Sequence, residues 1–339
     1  MTVSPFDDFR ALLTNLPVAD EFSIILAKKR QKSLTKEQGT LGKLGDIAVW
    51  YAGWRGTEKP LVTRPLVAIF SGNHGITDEN ITSFPQSMTQ KMVQNFAAGG
   101  AAINQICIAY DLGLKIFDLA LDYPTMNITK DAAMDERSAA ATMAFGMESI
   151  AGGTDLLCIG EMGVGNTTIA SALCLALFGG EVEEWIGSDI EDDEKLYQRK
   201  IAAVKTAVSL HKHHFNDPFQ IMRCLGGREI AAMVGAILAA RMEKIPVVLD
   251  GFVATAAAAV LYKMHPRVLD HILVGHVSSE PAHRKLLEKI DKEPLLDLGM
   301  RLGEGTGAAI AAGIVKAAVL MHAQMAVFEY DAKDLCECL

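Results

Sequence analysis

The sequence is short of positive charge: 32 Lys and Arg stand against 41 Asp and Glu, a formal charge of −9 over 339 residues. A nucleic-acid surface needs a basic face to displace counterions, so the charge argues against that class. A phosphate ligand is not, because a few backbone amides and one Lys suffice for a local positive site. Aromatics are scarce at 6%. No repeat, block of like charge or Pro/Ser-rich linker divides the chain. The six cysteines form no spaced framework: Cys107, Cys158, Cys174 and Cys224 sit in apolar runs, and Cys336 and Cys338 fall in the last residues. With no secretory pattern among the first residues, the expectation is reduced thiols in a soluble, cytoplasmic protein. The most apolar helical stretch, Gly305 to Met325, carries Lys316 and His322 and does not read as a membrane span. His211-x-His213-His214 has no carboxylate or Cys at ligand spacing, so it is taken as a solvated helix end and no metal is expected.

Small and apolar residues are abundant instead, with half the chain apolar and 29 glycines. Such a composition suits helices packed closely on a sheet and backbone that must approach a ligand. Runs at Pro65–Phe70, Leu114–Asp118, Asp155–Ile159, Pro246–Leu249 and His271–Val274 are apolar almost throughout. Continuous apolarity, unlike alternation, marks a parallel strand covered on both faces. Each run ends in a polar or Gly-rich turn, and most lead into helical periodicity. Strand, loop and helix in series imply a doubly wound α/β fold on a mainly parallel sheet. The first sixty residues differ, with helical patterns at Phe6–Leu16 and Asp20–Lys32 and no strand between them. The expected organisation is a Rossmann-like α/β domain over 60–300, with 1–59 and 301–339 forming a smaller helical lobe.

Ligands of open parallel sheets bind beyond the carboxyl ends of the strands. The residues there are Ser71-Gly-Asn-His-Gly75, Gly160-Glu-Met-Gly-Val-Gly-Asn-Thr-Thr168, Asp250-Gly-Phe252, Gly275-His-Val-Ser-Ser-Glu280 and Arg301-Leu-Gly-Glu-Gly-Thr-Gly307. In the second, glycines at 160, 163 and 165 free the backbone and Asn166-Thr-Thr168 caps a helix running to Phe178. Amides exposed at a helix N-terminus make an anion site. The spacing approaches a P-loop, but Asn166 stands where the lysine that reaches β- and γ-phosphates should be. A third glycine for a dinucleotide turn is also missing. A monophosphate fits better than either, the plain alternative being a helix cap with no ligand. Glu161 and Glu304 each sit among glycines just before a helix. One such Glu alone commonly favours a positive helix end. Two beside a phosphate site suggest a carboxyl of raised pKa serving as general base. His276 and His283 flank Ser278-Ser-Glu280 without a nucleophile elbow, so strand-end and cap roles are expected of them.

Taken together these strings resemble one family, the nicotinate-nucleotide–dimethylbenzimidazole phosphoribosyltransferases. The matching pieces include Asn73-His-Gly75, Phe84-Pro85, Gly99-Gly-Ala-Ala-Ile-Asn104, the Gly160 and Arg301 strings, Gly226-Gly227 with Glu229-Ile-Ala231, Asp250-Gly-Phe252 and Ser278-x-Glu280. They run in the family's order across nearly the whole chain. The resemblance implies transfer of the phosphoribosyl group of nicotinate mononucleotide to a benzimidazole, giving an α-ribazole phosphate and nicotinate for cobamide assembly. It implies Glu304 as the base and Glu161 at the reaction site. Gly163, Gly165, Asn166 and Thr167 would cradle the 5′-phosphate with Lys200 as counter-charge, and Asp250 and Ser278 would lie close to the nucleotide. Asn73 and His74 would line the base pocket. It further implies a homodimer and no cofactor. Two departures stand out: Asn73 where many relatives have Asp, and Trp185–Asp193 where the family usually has a Gly-Arg-Gly-Thr-Gly stretch. The remaining alternatives are a nicotinate-nucleotide hydrolase, with water in place of the base, and a non-catalytic nucleotide-binding member.

Overall fold

The structure, a computed structural model, describes residues 4–187 and 194–328. The acidic residues Asp189–Asp193 and the pair Cys336 and Cys338 lie outside them. Six parallel strands form one sheet: β1 (Pro65–Ser71), β2 (Gly113–Asp118), β3 (Leu156–Met162), β4 (Val247–Leu249), β5 (Ile272–His276) and β6 (Pro294–Leu296), in the order β2-β1-β3-β4-β5-β6. Helices connect every consecutive pair, as parallel strands require. The fold is α/β. The order reverses between β1 and β3, which makes a topological switch point there. Register brings Phe70 level with Glu161 and Ile159 level with Leu249, so the strands end together.

The apolar runs explain which strands lie deep. β1 is buried along its whole length, and β3 is buried until Gly160. β2, expected from its apolarity to be buried, is an edge strand with alternate residues exposed. β6 went unforeseen. It has three half-buried residues starting at a proline, a length and composition that edge strands accept and that leave little pattern to read.

Abundant small residues have a visible use. Gly146 on the helix Glu136–Met147 and Gly235 on the helix Arg228–Met242 face one another's backbone. A methyl group on either would come within 1.9 Å of a carbonyl oxygen, that of Ala232 or of Met143. Alanine is already too large at this crossing.

The chain divides into two compact units, Met1–Pro17 with Arg64–Ala312, and Val18–Thr63 with Gly313–Leu339. The first holds the sheet and also the helix Asp7–Leu13. Phe6 packs its ring 5.4 Å from that of Phe219, and Arg10 pairs with Asp217 at 2.5 Å. In the second unit the helix Glu21–Ser33 starts on Asp20, whose carboxylate accepts from the Ser23 amide, and is followed by the helix Lys43–Arg55. Buried Arg30 donates to the carbonyls of His322, Ala323 and Met325, the orphan acceptors at a helix C-terminus. The helix Thr306–Gln324 is, among the described residues, the one long and apolar enough to cross a membrane; 56% of its apolar window is buried inside the protein.

His211 is not a solvated helix end. It is buried, with Nε2 3.0 Å from the Ile128 carbonyl, because the chain turns inward there after the helix Glu194–Leu210.

Candidate active site

Beyond the carboxyl ends of β3, β4 and β5, in the larger unit, lies an open cavity of about 500 Å³. That volume suits a small organic ligand. Glu161, Gly163, Gly165, Asn166, Thr167, Lys200, Ser278 and Glu304 all line it, so most of the residues singled out from the sequence meet in one place. Asp250 sits just behind the wall, buried to 1% exposure.

The first glycine-rich turn follows β3. Gly165, not Asn166, is the cap of the helix Asn166–Phe178, and it takes φ +85°, which an L-side chain would strain. The amides of Asn166 and Thr168 turn back on the carbonyls of Gly163 and Gly165, and the Val164 amide donates to Thr89 Oγ. The positive end of this helix therefore faces the cavity with the turn's backbone around it. The Asn166 side chain, expected among the phosphate groups, donates to Glu161 Oε2. Lys200, on the helix Glu194–Leu210, brings a buried ammonium to the same cavity.

The second turn precedes the helix Thr306–Gln324. Gly303, Glu304 and Gly305 take φ of +73°, +62° and +75° in succession. A non-glycine residue in that region costs energy and persists only where its surroundings hold it. Gly160 is why the turn can lie against β3, since a methyl group there would come within 2.4 Å of the Gly305 nitrogen. Glu161 lies close against this turn, since a methyl group on Gly303 would be 2.9 Å from Glu161 Oε1, and both glutamates line the cavity.

Burial, reinforced by neighbouring negative charge, raises both acids. Burial, then Asp250, pushes Glu304 up to about 7. Burial, then the charges of Asp250 and Glu229, pushes Glu161 up to about 8, against the opposing hydrogen bond from Asn166. Near neutral pH, each can exist with or without its proton.

Ser278 lines the cavity with its hydroxyl accepting from the Glu280 amide, while its own amide donates to His283 Nδ1. His283 is pushed down to about 3 by burial and by His276, consistent with that neutral acceptor role. Asn73 and His74 are not among the lining residues. Asn73 donates to the Leu121 carbonyl, and His74 Nε2 lies 3.1 Å from Glu229 Oε1 in a fully buried pair. His74 also stands behind the first turn, 3.2 Å from where a Cβ on Gly163 would be.

Sequence reasoning missed several wall residues. His276 lines the cavity from the end of β5, 3.4 Å from Asp250 Oδ1. Phe84, Met88 and Met92 add an apolar wall. The two methionines are four apart on the helix Ser87–Ala97, a spacing that signals one face of a helix but not what it faces.

A parallel α/β sheet, a switch point, a helix N-terminus with a lysine at the same cavity, and two acids of raised pKa together have the character of an α/β enzyme site with acid–base groups. The comparisons give the particular kind. A family model described as phosphoribosyltransferase matches residues 17–332. The chain is 66% identical, over 96% of its own length and of each relative's, to proteins of Brucella canis and Brucella suis named nicotinate-nucleotide–dimethylbenzimidazole phosphoribosyltransferase. Crystal structures from Thermus thermophilus, one titled with that enzyme name and one titled CobT, are 36% identical. They superpose with TM-scores of 0.83 and 0.85, covering 91% of this chain and 98% of theirs. The chain belongs to this phosphoribosyltransferase family.

Proposed function

We propose that the protein transfers the phosphoribosyl group of nicotinate mononucleotide to 5,6-dimethylbenzimidazole or a related base. The products are α-ribazole 5′-phosphate and nicotinate, for the nucleotide loop of cobamides. One observation carries the proposal: a single cavity holds an anion turn, Lys200 and two acids of raised pKa.

The 5′-phosphate sits against the turn Gly163–Thr167, where helix amides and the Lys200 ammonium offset its charge. Asn166 contributes through its backbone and holds Glu161 with its side chain. The apolar wall of Phe84, Met88 and Met92 takes the flat benzimidazole, whose faces need no polar partner. Ser278 and His276 lie toward the ribose. The benzimidazole nitrogen attacks the anomeric carbon opposite the pyridinium, which leaves with its bonding pair as the nicotinate anion, its ring nitrogen now uncharged, and the configuration inverts from β to α. The proton on the other ring nitrogen passes to Glu304. Ionised carboxylates at this corner also stabilise the positive charge developing on the ribose. His74, behind the wall, shapes the site through the first turn, and Asn73 is tied to the Leu121 carbonyl, so neither touches the base. We also place the protein in the cytoplasm as a homodimer, with small molecules as its substrates and no nucleic acid among its partners.

The test is release of nicotinate from nicotinate mononucleotide with and without dimethylbenzimidazole. Release that depends on the base, with a ribazole phosphate as co-product, is expected. Release without it would make the protein a hydrolase, and binding without release a nucleotide-binding member that has lost catalysis.

A further inference from the structure

We propose that Asp250 is a positioning residue that clamps the left-handed 303–305 turn and so fixes Glu304 in the cavity, without itself touching the substrate. This rests on Glu304 being the proton acceptor. Asp250 follows β4, and its carboxylate accepts two backbone hydrogen bonds from the 303–305 turn and the first residues of the helix Thr306–Gln324: Gly305 N to Oδ2 at 3.1 Å and Ala308 N to Oδ1 at 2.9 Å. His276 stands beside it, with Nε2 3.4 Å from Oδ1. Gly251, His276 and Glu304 all line the cavity, but Asp250 does not.

The physical need for such a clamp is plain. The first amides of a helix have no acceptor within it, and here they begin the helix Thr306–Gln324. An anion at that position satisfies them and suits the helix dipole. Three consecutive residues at positive φ, one of them not glycine, need their surroundings to hold them. The Thr306 hydroxyl donates to the Gly303 carbonyl at 2.8 Å and holds one side of the turn; Asp250 holds the other. His276 presses on the helix start as well, since a methyl group on Gly307 would fall 1.9 Å from its Cδ2. With both oxygens facing backbone amides, Asp250 is poorly placed to serve ribose hydroxyls.

The experiment compares Asp250→Asn, Glu304→Gln and the double variant in steady-state turnover of nicotinate mononucleotide with dimethylbenzimidazole. Hydrogen exchange at the amides of Gly305 and Ala308 is read in parallel. Asn keeps one acceptor oxygen and turns an NH2 group toward the other amide, so one hold is lost and the shape is kept. Displacing a catalytic group by an ångström costs about 100-fold, so kcat of Asp250→Asn should fall about 10- to 100-fold, with KM for the nucleotide changed less than about threefold. The double variant should be no slower than Glu304→Gln, because Asp250 acts only through the missing base. The acidic limb of the pH–rate profile should move to lower pH in Asp250→Asn. The other groups at this corner, Glu161 on β3, His276 on β5 and Arg301 ahead of the turn, are unchanged, so the shift reports the lost negative neighbour. Exchange at the two amides should quicken.

A rise in KM with kcat intact, or losses that multiply in the double variant, would overturn the proposal, since Asp250 would then act on substrate directly. If Glu304→Gln alone proves fully active, the assignment of the base fails. The amides still decide the clamp: faster exchange in Asp250→Asn upholds it, and unchanged exchange ends it.

Discussion

Two turns in this molecule look alike in sequence and meet different partners. Gly163-Val-Gly-Asn-Thr167 and Gly303-Glu-Gly-Thr306 are both glycine-rich, both use positive φ, and both open a helix at the cavity. They differ in what meets the helix terminus. At the second turn an internal carboxylate, Asp250, already occupies the amides of Gly305 and Ala308. At the first turn Glu161 lies alongside but is held by the Asn166 side chain, and Lys200 and Arg301 bring positive charge to the cavity. A helix N-terminus is thus an anion site only where the fold has not supplied its own anion. The second turn, neutralised from within, is free to present a side chain instead. In the proposed reaction one turn binds and the other reacts.

The division is broken most severely by Glu304→Gln, which keeps shape and most hydrogen bonds but cannot take a proton. Turnover should fall by about 10²–10⁴-fold, the range for a positioned base, with nucleotide affinity nearly unchanged. In the unaltered enzyme kcat/KM should decline as pH drops through about 7, because Glu304 is held up near that value by burial and Asp250 and becomes protonated below it. The variant should lack that limb. Near-normal turnover with the limb intact would pass the role to Glu161.

Lys200→Ala strikes the first turn. Losing a charge-assisted contact should weaken nicotinate mononucleotide binding by about 1.5–3 kcal/mol, measured by calorimetry, while the acidic limb stays where it is. A crystal of the complex with the phosphate away from Gly163–Thr167 would refute this half of the comparison.

How much of this could be read from the chain follows from how local each signal is. β1, β3, β4 and β5 were legible because runs such as Leu156–Ile159 are apolar throughout and end at glycine. β6 carries three half-buried residues and gives no such contrast. The turns at 160–168 and 301–307 were legible because glycine clusters at strand ends are rare without a reason. Their different uses were not, because the anion that separates them comes from Asp250, more than fifty residues away from Gly305 along the chain. Met88, Met92 and His276 have the composition of core and strand end, and only the fold turns them toward a cavity. Lys200 entered through family resemblance alone, since a lysine on an amphipathic helix reads as solvated until its burial is seen.

The smallest effect discriminates most finely between the two turns. Glu304 is a non-glycine residue at φ +62°, so a reacting side chain has been placed where glycine would be more comfortable. Glu304→Gly removes about 1–2 kcal/mol of left-handed strain and loses about 0.5–1 kcal/mol through the greater freedom of the unfolded chain. A buried carboxyl also disappears. The net expectation is an inactive protein more stable by about 0.5–1 kcal/mol in denaturant unfolding. Its pH dependence has a definite sign. Because the folded-state pKa of Glu304 is raised from 4.5 to about 7, the folded protein holds a proton that the unfolded chain releases. Stability from this group is therefore full below about pH 4.5 and is lost as pH rises through about 7. The glycine variant has no such loss, so its advantage should be larger at pH 8 than at pH 5. Gly165→Ala, at φ +85° in the first turn, should move stability the other way by about 1 kcal/mol, since no side chain is wanted there. A Glu304→Gly protein less stable than the parent at both pH values would mean that Glu304 holds the fold together, and the separation of binding turn from reacting turn would lose its physical basis.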